Sequence, residues 1–83
     1  MDTQTRIRQL RWRSKRGLLE LELMLAPFVE SDLGTLSPEQ LESYACLLEC
    51  DDLDLYDWLR GHEAVADPSL ESIVERIKLS HRV

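Results

Sequence analysis

The chain has 83 residues, a length that holds one domain and excludes a second. Its 43% hydrophobic and 31% charged residues suit a protein that folds in water, neither a membrane span nor a disordered segment. Net charge is −6, but residues 1–16 carry +5 and residues 17–83 carry −11, so the molecule is strongly dipolar and its acidic bulk opposes any broad contact with nucleic acid.

Composition narrows the class further. Three glycines and three prolines leave no Gly-rich phosphate loop and little material for an all-β fold. A core this thin has no room for a deep cofactor cavity, which disfavours an enzyme. No apolar run approaches the roughly 18 residues of a spanning helix, and no signal-peptide core follows the basic start. The Arg-rich N-terminus runs into the domain without a linker, unlike a transit peptide, and the chain is read as cytoplasmic, without membrane insertion.

A basic amphipathic helix is predicted over about 3–14, with Ile7 and Leu10 inward, Trp12 on its edge, and closure near Gly17. Leu18, Leu21, Leu25 and Phe28 recur at helical spacing over about 17–30, and Pro27 should bend or end that second helix. Residues 31–35 read as a loop. Ser37-Pro38-Glu39-Gln40 has the order of a capping box, which opens a third helix with the stripe Leu41, Tyr44, Ala45 and Leu48. Asp51 or Asp52 caps a fourth helix that turns Leu55, Trp58 and Leu59 inward and ends at Gly61. Asp67-Pro68 repeats the cap-then-proline signal before Leu70, Ile73, Val74 and Ile77, and the tail 80–83 is expected to fray. None of these helices is long enough to be stable alone, so the expected fold is all-α, a compact five-helix bundle in a single domain.

Chemistry-bearing arrangements are few. No nucleophile and base stand at a recognised spacing, so no catalytic residue is assigned. Asp51, Asp52, Asp54 and Asp57 superficially resemble a calcium loop, but Tyr56 and His62 stand where such a loop needs Gly and Glu. Cys46 and Cys50 are spaced i,i+4, and His62 and His81 lie in later segments, so the thiols are read as reduced packing groups and no metal site is expected. Trp12 and Trp58 are read as core or core-edge, in preference to anchors for a partner. Gly17 falls at a helix-to-helix corner where a residue able to take positive φ would serve, yet glycine also lets another backbone come close. Arg16 and Glu20 flank it within about one helical turn, as a charged pair bracketing a smooth spot.

Arg16-Gly17-Leu18-Leu19-Glu20 resembles the RGxxE motif of the succinate dehydrogenase flavinylation factors, the small helical SdhE-like assembly proteins. Arg11-Trp12 upstream, Pro27-Phe28 downstream, and the run from Leu47-Leu48-Glu49-Cys50-Asp51-Asp52 to Trp58-Leu59 are similar to further blocks of that family. The resemblance implies a chaperone-like factor, not an enzyme, which binds the flavoprotein subunit of succinate dehydrogenase, and of fumarate reductase in some cases, and promotes covalent attachment of FAD to it. It implies no cofactor held stably by this chain, a monomer when free, and a partner-binding surface made of Arg16, Gly17 and Glu20, extended by Asp51 and Asp52. The competing readings are an antitoxin-like regulator acting by protein binding and, on the basic first helix, a nucleic-acid binder.

Overall fold

The computed structural model describes residues 2–81, and among them there are five α-helices and no strand. They are α1 (Thr3–Arg13), α2 (Leu19–Ser31), α3 (Pro38–Leu48), α4 (Asp52–Arg60) and α5 (Glu71–His81), with short 3₁₀ turns at Leu33–Thr35 and Pro68–Leu70. The expected bundle is therefore the observed one. Its inward stripes also agree: Ile7 and Leu10, Leu21, Leu25 and Phe28, Leu41, Tyr44, Ala45 and Leu48, Leu55, Trp58 and Leu59, and Leu70, Ile73, Val74 and Ile77 join one contiguous core.

The helix ends follow from local chemistry. Ser37 Oγ accepts from the Gln40 amide and the Gln40 side chain accepts from the Ser37 amide, which completes the capping box. Asp51, not Asp52, caps α4 through the Leu53 amide. Gly61 closes α4 at φ 77°, the left-handed conformation that glycine adopts without steric cost. Asp67 caps the 3₁₀ turn at Pro68–Leu70 that leads into α5.

Three expectations change. Residues 31–35, read as a loop, hold the last residue of α2 and the 3₁₀ turn Leu33–Thr35, which buries Leu33. Pro27 neither ends α2 nor stops its inward face: the helix runs on to Ser31, and the following Phe28 and Val29 are buried. Burial of those two side chains outweighs the one backbone bond that proline removes. Ser80, expected in a fraying tail, belongs to α5 and donates from its hydroxyl to Asp32 at 3.1 Å; Arg82 and Val83 lie outside the described residues.

Ion pairs set the register of α1 on α3. Arg6 meets Glu42, Arg13 meets Glu49 and Arg16 meets Asp52, each 36 residues further along the chain. A constant offset means that the two segments run in the same direction, with α2 returning between them in sequence. Beneath these pairs the rings of Phe28 and Tyr44 lie 5.1 Å apart, and the Tyr44 hydroxyl is 2.6 Å from Ser14 Oγ. Ser14 spends its own proton on the Leu10 carbonyl at 2.8 Å, so Tyr44 is the donor. Burial pushes the Tyr44 phenol above its ordinary value, which keeps it protonated as that donor. On the far side, α2 packs along α5 and against α4.

Candidate functional site

Of the five residues singled out in the sequence, Arg16 and Asp52 are bonded to each other where two helix corners meet, Gly17 and Asp51 are their chain neighbours, and Glu20 stands in the first turn of α2. One corner joins α1 to α2 through Ser14–Leu18, and the other joins α3 to α4 through Glu49–Asp51. The Arg13 carbonyl and the last carbonyls of α3 lack intrahelical partners, and a planar guanidinium can take several of them at once.

Arg16 does so. Its Nε donates to Asp52 Oδ1 at 2.7 Å, Nη1 to the carbonyls of Leu48 at 3.0 Å and Arg13 at 3.3 Å, and Nη2 to the Cys50 carbonyl at 3.1 Å. Its side chain is 17% exposed and that of Asp52 32%. Arginine is suited to this task because its rigid fork meets acceptors in fixed directions, and a cation near the C-terminal end of α3 is favoured by the helix dipole. Arg16 and Glu20, read as two charges bracketing Gly17 and open to a partner, are not bonded to each other, and the Arg16 guanidinium is spent within its own chain. Asp52 lies closer to the interior and competes for the same guanidinium in a less solvated place, where the attraction is stronger. Glu20 is exposed and, among the described residues, has no ionic partner.

Gly17 is left bare by this arrangement. Its φ is not positive, and a Cβ built on it would meet nothing within 4 Å. The turn therefore makes no demand for glycine, contrary to the positive-φ reading of this corner. The surrounding surface is partly apolar: Leu19 beside it is 66% exposed, and Leu53, next to Asp52, is 65% exposed. Leu18 instead folds back against the core as the residue before α2. Asp51 is exposed while it caps α4, so its two suggested roles coexist in one position.

Trp12 departs from expectation. It is 72% exposed, with the Lys15 ammonium 5.5 Å from its ring, whereas Trp58 is buried as expected. Ser14 takes the inward position in the last turn of α1, and Trp12, two residues earlier, is rotated outward by the helix geometry. The sequence signal for this was available, since Ile7, Leu10 and Ser14 share one helical face and Trp12 does not. The ionic offset of 36 was also present, as the matched seven-residue spacings of Arg6 and Arg13 and of Glu42 and Glu49.

Elsewhere the chemistry is sparse. Among the described residues there is no group of three or more His, Cys, Asp or Glu side chains placed to hold a metal ion, and no helix is long and apolar enough to cross a membrane. Cys46 and Cys50 are free thiols; Cys50 packs against the core, and burial with nearby carboxylates raises its thiol, but Cys46 is exposed rather than a packing group.

Comparison with known proteins matches residues 8–81 to the family described as "Flavinator of succinate dehydrogenase". The chain is 39% identical over 72 residues to the FAD assembly factor SdhE of Shewanella oneidensis, covering 87% of this chain and 88% of that one. It is 38% identical over 77 residues to the FAD assembly factor SdhE of Pseudomonas putida, covering 93% and 92%. A Serratia protein of the same description is 35% identical over 74 residues, covering 89% and 84%. With nearly its whole length matched, and with the arginine-glycine corner and its acidic neighbours built as described, the chain belongs to the succinate dehydrogenase flavinator family.

Proposed function

We propose that this protein binds the flavoprotein subunit of succinate dehydrogenase and promotes covalent attachment of FAD to it, acting as an assembly factor and not as the catalyst. The observation that carries this reading is Gly17: its backbone is ordinary and its surroundings are open, so its own chain has no use for a missing side chain. A glycine kept free in this way suits close approach by another backbone. Exposed Leu19 and Leu53 supply apolar contact, and Glu20 and Asp51 supply acceptors to pair with the client.

The Arg16 lock has a part in the same task. By tying the α1–α2 corner to the α3–α4 corner, it presents Gly17, Glu20 and Asp51 as one rigid face. A rigid face can hold a mobile, immature flavoprotein in the conformation in which flavin and acceptor side chain are aligned, a shift of population toward the reactive state. Alignment matters because a misplacement of about 1 Å can cost on the order of a hundredfold in rate. The chain itself holds no FAD stably in this scheme, and it works as a cytoplasmic monomer. A fumarate reductase flavoprotein, sharing the same cofactor chemistry, is a second client.

The test is the fluorescence of covalently bound flavin on denaturing gels of the succinate dehydrogenase flavoprotein, from cells with and without this protein. Loss of the fluorescent band on deletion, restored by the wild-type gene, is expected. An undiminished band would remove the proposal.

A further inference from the structure

Six cationic side chains of α1 and its C-terminal extension divide by face: Arg6 and Arg13 pair with Glu42 and Glu49 of α3 and Arg16 with Asp52 at the start of α4, all at the 36-residue offset, while Arg8, Arg11 and Lys15 do not. Arg8 and Arg11, at i and i+3, share the other side of α1, and Lys15 follows in the connection to α2. All three are exposed, and among the described residues none has an ion-pair partner. In a chain with 16 acidic and 10 basic side chains, unpaired cations on one face are not forced by a shortage of acids.

That face borders an open groove of about 530 Å³ between α1 and α2, lined also by Ser14 and Lys15 of the connection that leads to Gly17. Arg11 and Lys15 form one wall, and Glu22 and Glu30 of α2 line the other. Between them lie Leu25, Val29 and the exposed Ala26. The opposed walls do not pair with each other; Lys15 rests against the exposed Trp12 ring but has no ionic partner among the described residues, so its charge, like that of Arg11, remains uncompensated.

Resting on the docking function argued above, we propose that this groove receives a polypeptide segment of the client flavoprotein that is apolar along its centre, acidic on the edge facing α1 and basic on the edge facing α2. Opposite signs on the two walls reject the reversed orientation of such a segment, so the groove sets the direction in which the client lies across the Gly17 corner. A nucleic acid fits poorly, because its phosphates would meet Glu22 and Glu30 as well as the cations.

The experiment is calorimetric titration of the succinate dehydrogenase flavoprotein with the full-length chain and its variants, each checked for helical circular dichroism. Arg11→Glu combined with Lys15→Glu is expected to weaken binding about tenfold or more, with a shallower salt dependence. The neutral pair Arg11→Gln and Lys15→Gln gives a smaller loss in the same direction and covers the case in which reversal disturbs the end of α1. Glu30→Lys, in the last turn of α2 where a cation suits the helix dipole, is expected to weaken binding as well. Tighter binding by Glu30→Lys would mean a uniformly acidic occupant and overturn the proposal. So would unchanged binding by all these variants while Gly17→Arg abolishes it, a result that spares the docking function; normal binding by Gly17→Arg would remove that function itself. Retardation of RNA or DNA by the wild-type chain at physiological salt, lost in the α1 variants, would assign the cations to nucleic acid instead.

Discussion

Two arginine–aspartate pairs tie this bundle together, and they differ in what surrounds them. Arg76 of α5 reaches Asp32 at 3.4 Å where α2 ends, and the pair sits among its own chain's hydroxyls: Ser31 and Ser80 donate to the Asp32 carboxylate, and Arg76 also donates to Thr35 Oγ1. Arg16 and Asp52 are tied as firmly, yet beside them stand a bare glycine, two exposed leucines and an acid without an ionic partner. The first latch is complete within the fold. The second leaves an unfinished surface, and on the proposed function that difference separates a structural junction from one that also faces a client.

The comparison can be broken most sharply at Gly17. Gly17→Arg is expected to cut affinity for the flavoprotein by about a hundredfold or more, since a long side chain would project from the bare spot. Its melting temperature should stay near wild type because nothing lies within 4 Å of the new Cβ. Unfolding would instead make the glycine a structural requirement.

Arg16→Ala should lower stability by about 2–3 kcal/mol in urea unfolding, because four hydrogen bonds are lost and Asp52 is left half-buried without its partner. Client binding falls with it, and Arg16→Lys restores little of either, since an ammonium cannot span Asp52 and three carbonyls.

Asp32→Asn is expected to cost about 1 kcal/mol at neutral pH and to leave client binding unchanged. Its pH dependence sharpens the assignment. Burial alone would raise the Asp32 carboxyl, but hydrogen bonds from Ser80, Ser31 and Arg76, with the Arg76 charge, hold it below the ordinary value of 3.8. A depressed carboxylate stabilises the fold above its unfolded pKa and loses that contribution as pH falls through its folded one. The difference between wild type and Asp32→Asn, followed by urea titration, should therefore hold steady above 3.8 and shrink below it.

The smallest effect is expected at the solvated end of the α1–α3 register. Removing the Arg13–Glu49 pair, whose side chains are 37% and 76% exposed, should change stability by no more than about 0.5 kcal/mol in a double-mutant cycle.

Much of the fold was legible because its signals are local. Ser37 to Gln40 carry a reciprocal cap within four residues, Gly61 alone can close α4 at positive φ, and the apolar stripes of α3, α4 and α5 repeat within a single helix. The site was legible as a motif but not as an arrangement. Arg16 and Glu20 are four residues apart, so the sequence favoured pairing them, whereas the nearer partner in space stands 36 residues away.

The amino-acid order by itself determined the helices, their caps, the inward faces and the family, since each depends on residues within a turn or two or on the motif itself. Tertiary structure decided that Arg16 serves the fold while Gly17 is left bare, that Trp12 faces outward, and that opposite charges line the two sides of a groove. Those outcomes depend on which helices become neighbours. Neighbourhood is set by the collective burial of the core, and a charged side chain then takes the least solvated partner within its reach.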